Sequence, residues 1–116
     1  MLFTMNNAIW LYPVPIDFRK QIDALIILVA DHLQMDPTSS QLFLFRDRSA
    51  KKIKILWWDR SGFWLLYKRL EAGRFKFPST HGNVIELTRD QVGWLLTGLD
   101  CMHHPLLPQV KAQHFF

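Results

Sequence analysis

Lys52-Ile53-Lys54-Ile55-Leu56-Trp57-Trp58-Asp59-Arg60-Ser61-Gly62-Phe63-Trp64-Leu65-Leu66-Tyr67-Lys68-Arg69-Leu70 is the stretch that decides the fold. Its first seven residues alternate, with Ile53, Ile55 and Trp57 on one side and Lys52, Lys54, Leu56 and Trp58 on the other. A period of two is that of a strand, because successive side chains leave opposite faces of the pleat. Asp59-Arg60-Ser61-Gly62 then reads as a turn, with Gly at the last position of a type I turn. Phe63 to Leu70 runs back as a second strand, so the stretch predicts a hairpin.

Moving outward, Gln41 to Arg46 is rich in Leu and Phe, and Asp47-Arg48-Ser49-Ala50 links it to the hairpin as another turn. Gly73 breaks the chain on the other side, and Arg74 to Phe77 forms a further candidate strand before Pro78. Near the start, Ile9 to Tyr12 reads as a short strand stopped by Pro13-Val14-Pro15, since proline cannot donate to a ladder. Helical spacing appears twice. Ile22, Leu25, Ile26, Val29 and Leu33 predict a helix over Phe18 to Gln34, with Asp17 as its N-cap and Asp36-Pro37 as its stop. Val92, Leu95, Leu96 and Leu99 predict a second, opened by the capping-box pattern of Thr88 and Gln91. The expected fold is α+β, an antiparallel meander of about four strands with two packing helices. It forms one domain over residues 1–102, with an irregular tail over residues 103–116.

At 116 residues, with 49% hydrophobic and 21% charged residues, the chain is long enough to bury a core without staples and too apolar to be disordered. Its single cysteine, Cys101, excludes an internal disulfide and fits a reducing compartment. No run of 18 apolar residues occurs, and Met1 to Tyr12 lacks the pattern of a secretory signal. A cytoplasmic protein is expected. The net charge of +4 is unevenly placed: ten of the 14 Lys and Arg residues lie between Arg46 and Lys76, against Asp47, Asp59 and Glu71. That segment carries +7 and the remainder −3. Concentrated positive charge of this kind is the footprint of a polyanion partner.

No catalytic pattern accompanies it. The chain has no Gly-rich phosphate loop, nucleophile elbow or H-E-x-x-H helix. Metal-dependent DNA cleavage needs clustered carboxylates to hold cations over the scissile phosphate, and the ten acids are scattered. Asp59 fits a turn former. His103-His104, with Cys101 nearby, lacks a second ligand pair at zinc spacing, so no metal and no cofactor is expected. What remains is a basic surface interleaved with aromatics. Cations neutralise phosphates, and aromatic faces stack on bases. Candidate nucleic-acid-binding residues are Arg19, Lys20, Arg46, Arg48, Lys52, Lys54, Trp58, Lys68, Arg69 and Arg74. Lys52 and Lys54 share a face, whereas only one of Lys68 and Arg69 can join them. The alternative is a protein adaptor that docks on a partner through the aromatic face.

Phe45-Arg46, the Ile53 to Asp59 block, Gly62-Phe63 and the run from Tyr67 to Phe75 resemble one known family, as do Asp17, Arg19 and Lys20 ahead of the first helix and Leu87-Thr88 ahead of the second. These residues are similar to the accessory protein called TnpB, the second-open-reading-frame product of bacterial insertion sequences of the sixty-six group, which is unrelated to the RNA-guided nuclease of the same name. The resemblance covers residues 8 to 100. It departs at Phe77, where the family commonly has Trp, and at Gln21, where it often has Gly. It implies a non-catalytic partner of a separate transposase that carries the catalytic carboxylates. DNA at the transposon ends and the transposase are the partners expected.

Overall fold

Leu42-Phe43-Leu44-Phe45 is an apolar run with no polar residue to mark an outer face, and all four side chains are buried. Such a run requires a sheet covered on both faces. The structure, a computed structural model, describes residues 7–79 and 81–102. It contains strands β1 (Ile9–Leu11), β2 (Leu42–Arg46), β3 (Lys52–Trp58), β4 (Phe63–Arg69) and β5 (Ile85–Leu87). They form one sheet in the order β4-β3-β2-β1-β5. Helix α1 (Ile22–Ile27) continues as a wider π-type turn over Leu28–His32, and helix α2 (Arg89–Leu96) follows β5.

The helices lie on opposite faces. Leu25 and Val29 of the α1 segment pack with Tyr12, Phe43, Phe45 and Leu56. Val92 and Leu95 of α2 pack with Ile9, Leu11, Leu42, Leu44, Ile53, Ile55 and Leu87, joined by Phe75 and Cys101. Among the described residues no helix is long and apolar enough to cross a membrane.

The α+β class and the hairpin agree with the sequence reading, but the sheet is mixed rather than an antiparallel meander. β1 pairs parallel to β2, and β2, β3 and β4 continue antiparallel. A parallel pair needs a long crossover, here the segment carrying α1. β5, which the sequence reading lacks, pairs antiparallel with β1 and closes that side of the sheet. Arg74 to Phe77 is not a strand. It crosses the α2 face irregularly, anchored by the Phe75 N–H donating to Ala50 O at 2.7 Å. Residues 103–116, with His103-His104, lie outside the described residues.

The first helix starts later than its periodicity suggests. Asp17 is not its N-cap; Gln21 is, and the first helical bond runs from Leu25 N–H to Gln21 O. A helix starting at Phe18 would aim the carbonyls of residues 18 and 20 along its own axis. Those two carbonyls instead accept hydrogen bonds from the ammonium of Lys54 on the sheet. The second helix starts as expected, with Thr88 and Gln91 in a reciprocal capping box.

Candidate nucleic-acid interface

Register settles which cations share a face. Lys52 stands opposite Arg69, Lys54 opposite Tyr67, Leu56 opposite Leu65 and Trp58 opposite Phe63. Cross-strand partners lie on the same side of a sheet. Arg69 is therefore the residue that joins Lys52, while Lys68 leaves the other face and donates to Leu96 O at the end of α2 at 2.8 Å. A cation there complements the helix dipole.

Lys54 is not a surface residue, although alternation places it beside Lys52. It is 1% exposed. Its ammonium donates to Phe18 O at 2.8 Å and Lys20 O at 2.6 Å. It also lies 4.9 Å from the Phe18 ring centre and 5.8 Å from that of Tyr67. Burial pushes its pKa down, and the Asp17 carboxylate opposes the shift. The helix packed on this face covers the middle of the strand, so Lys54 clamps the 17–20 segment and is enclosed by the fold. The two motifs that looked separate in the sequence, Asp17-x-Arg19-Lys20 and the Lys54 strand, are thus one construction.

Arg46 is also committed to the fold. Its guanidinium stacks on the Phe77 ring at 4.4 Å and donates to Asp47 O at 3.1 Å. It is half-buried, and desolvation lowers its pKa. Trp58 packs against Phe63 at 4.8 Å between ring centres, at the end of β3 remote from Lys52. Six residues of strand, about 20 Å, separate the two. Cations and Trp58 therefore do not form one patch.

What does gather is a set of cations at the end of the sheet that holds the β2–β3 turn. Lys52 and Arg69 sit side by side there, and Lys51 accepts the Leu70 N–H through its carbonyl at 2.9 Å. Arg74 adjoins Phe75, whose N–H bonds Ala50 in the same turn. Arg48 lines a depression with Pro15, Asp17 and Phe18, the segment that leads into Arg19 and Lys20. Arg19, Lys20, Arg48, Lys51, Arg69 and Arg74 are exposed. Two acids offset them weakly. Arg19 pairs with Asp17 at 2.5 Å and Arg69 with Glu71 at 2.8 Å, all at exposed positions. Arg19 holds the Asp17 carboxyl well below the usual carboxylate range. Surface pairs of this kind contribute about 0–1 kcal/mol and are readily exchanged for another anion. The third acid, Asp47, is buried and accepts from the Lys51 and Lys52 N–H groups at 3.0 and 2.9 Å. It organises the turn.

The aromatic beside this cluster is Tyr67, 53% exposed and edge-on to Phe18 at 5.9 Å. Sequence reasoning placed Trp58 in that role. The signal for Tyr67 was its parity with Arg69, readable once the hairpin register is known.

Asp59 shapes the far turn. Its carboxylate accepts from Ser61 and Gly62 N–H groups, each at 2.9 Å, and from Trp64 Nε1 at 2.8 Å. Arg60 has a φ of +85°, which a type I turn does not allow at its first central position and a type II′ turn does. The donors bring the Asp59 carboxyl down to about 2 from an ordinary 3.8, with the Ser61 N–H as the leading cause. A depressed carboxylate pKa stabilises above the unfolded value, and that contribution is lost as pH falls through the folded value. The Trp64 Nε1–H resonance should therefore move with a midpoint near 2 in an acid titration. A midpoint at the ordinary 3.8 would contradict this geometry. Among the described residues no three His, Cys, Asp or Glu side chains converge as a metal site would require.

Comparison with known proteins adds the following. The family model described as IS66 Orf2-like protein matches residues 7–105. An uncharacterized protein of Sinorhizobium fredii, y4hO, is 36% identical over 98 residues, covering 84% of this chain and 85% of its own. A second uncharacterized protein of the same organism, y4jC, is 34% identical over 86 residues, covering 74% of each chain. No solved structure matches.

Proposed function

The chain belongs to the IS66 Orf2-like family of insertion-sequence proteins, and on that footing we propose that it is a non-catalytic accessory protein of transposition that holds DNA through the cationic end of its sheet. The observation that carries this reading is the placement of Arg48, Lys51, Lys52 and Arg69 at the end of the sheet that holds the β2–β3 turn. Lys54 holds the segment bearing Arg19 and Lys20 to the sheet, and Arg74 is next to Phe75, which bonds that turn. These cations come from separate segments of the chain. Nothing in the core requires those residues to be basic, and like charges brought together lower stability unless an anion joins them. Phosphates are the anions that match. The ammonium and guanidinium groups would neutralise backbone oxygens without reading sequence, and the exposed face of Tyr67 offers a stacking surface for a base at a melted or frayed end. Chemistry on the DNA would fall to the separate transposase, since among the described residues no three carboxylates converge.

Titration of the purified chain against transposon-end duplex at low and high salt, with and without the transposase, tests the proposal. Binding by the chain alone at low salt, weakening steeply as salt rises, is the expected result. Binding that appears only when the transposase is present would replace direct contact with an adaptor role. Metal-dependent cleavage that a single Asp substitution abolishes would end the non-catalytic reading.

A further inference from the structure

β4 is an edge strand, and among the described residues no strand pairs with its outer side. It is seven residues long and unbulged along its whole pairing with β3, whereas the opposite edge, β5, has three residues. Trp64, at 54% exposure, and Tyr67 stand on it in solvent. An open strand of this length is a template for pairing, and proteins usually shorten, bulge or cover such edges.

The ladder to β3 fixes which groups are free. Asp59 N–H bonds Gly62 O, and Leu70 N–H bonds Lys51 O. In an antiparallel pair, hydrogen-bonded and non-hydrogen-bonded positions alternate. Trp64, Leu66 and Lys68 therefore turn their backbone groups to β3, and Phe63, Leu65, Tyr67 and Arg69 turn theirs outward.

We propose that β4 pairs antiparallel with β4 of a second copy about a two-fold axis through Leu66, joining two five-stranded sheets into one. This register places Phe63 opposite Arg69 and Leu65 opposite Tyr67 of the second copy. All four outward-facing residues thereby find outward-facing partners. Moving the axis half a residue sets outward groups against inward ones. Moving it a whole residue leaves Phe63 or Arg69 without a partner in the strand. The side chains agree with the backbone: Phe63 meets Arg69, Trp64 meets Lys68, and Leu66 meets itself. Each cation faces an aromatic ring, a favourable contact, and no like charges face each other. Parallel in-register stacking would instead set Lys68 on Lys68 and Arg69 on Arg69, so the two-fold arrangement closes the edge without propagating. Isologous closure of this kind gives a dimer. The seam takes in Arg69 and Tyr67 of the cationic end, whereas Trp64 and Leu66, the positions varied below, lie outside that cluster, so DNA binding and pairing can be tested separately.

Sedimentation velocity of the full chain over a wide concentration range is the test, with three variants. Wild type should show a reversible monomer–dimer equilibrium. Trp64→Lys removes an exposed ring and sets like charges opposite each other twice across the two-fold, so dimer Kd should rise about tenfold or more. Trp64→Glu removes the same ring but sets a carboxylate opposite Lys68, and should dimerise within a few-fold of wild type. Leu66→Cys should oxidise to a covalent dimer, because its own copy is its neighbour and Cys101 is buried. A wild type that stays monomeric throughout overturns the proposal. So does a dimer equally strong in the Lys and Glu variants, or one that Leu66→Cys leaves uncrosslinked.

Discussion

Lys54→Ala should lower stability by about 3 kcal/mol, reducing the melting temperature by on the order of 10 °C, while Lys52→Ala two residues away changes it by no more than about 0.5 kcal/mol. Both residues are lysines on one face of one strand, and only their surroundings differ. Lys52 is half-buried at the margin of the sheet. Lys54 is enclosed by the segment it holds, with two carbonyls on its ammonium and the rings of Phe18 and Tyr67 around it. Removing it leaves those carbonyls without their donor, at about 1–3 kcal/mol for each that stays dry, and opens a void beneath α1. Lys54→Met keeps most of the volume and loses only the polar contacts, so it should fall between the two. Thermal unfolding of the three variants checks the order. Equal losses for Lys52→Ala and Lys54→Ala would contradict the buried clamp.

The same contrast shows what the sequence could and could not reveal. Alternation in β3 assigned every residue to its correct side, because side-chain parity is a local property of the pleat. It did not say that both sides are covered. Burial of Lys54 depends on α1 crossing the sheet, and an ammonium satisfied by carbonyls thirty-odd positions upstream leaves no local trace. The apolar run of β2 carried the clue, since Leu42 to Phe45 does not alternate and so belongs to a doubly covered strand. The parallel β1–β2 pair was likewise missed because a meander is the nearer reading of short successive strands. The long link bearing α1 is what a parallel crossover looks like in sequence. β5 is three residues long and paired only through β1, too short for periodicity to show. By contrast, the second helix was legible to its first residue, because a capping box is entirely local.

At the candidate interface, the excess of charge between Arg46 and Lys76 was legible and its arrangement was not. Arg46 is stacked on Phe77, and the Lys54 ammonium is bonded to two carbonyls. Lys68 donates to the end of α2, and Trp58 lies at the end of β3 remote from Lys52. Lys52 and Arg69 are cross-strand neighbours beside the β2–β3 turn that carries Arg48 and Lys51, and Tyr67 shares their face. A cation's availability depends on whether a carbonyl, a ring or water faces it, and only the packed chain decides that.

Affinity for DNA should consequently depend on the residues that converge and not on total charge. Each phosphate neutralised on duplex DNA adds about 0.9 to the steepness of log affinity against log salt. A surface that engages about five phosphates would lose roughly two to three orders of magnitude in affinity between 50 and 200 mM salt. Lys52 and Arg69 are adjacent on one face and together should account for two of those contacts. Lys68→Ala, on the other face, is the matched control.

The measurement that bears most directly on the account is the salt dependence of binding to transposon-end duplex for wild type, Lys52→Ala/Arg69→Ala and Lys68→Ala. The double variant should bind more weakly to unrelated sequences alike, with a slope shallower by about 1.8, while Lys68→Ala keeps the wild-type slope. A double variant with an unchanged slope, or a wild type that does not bind duplex at low salt, would contradict the cationic end of the sheet as a DNA-binding surface.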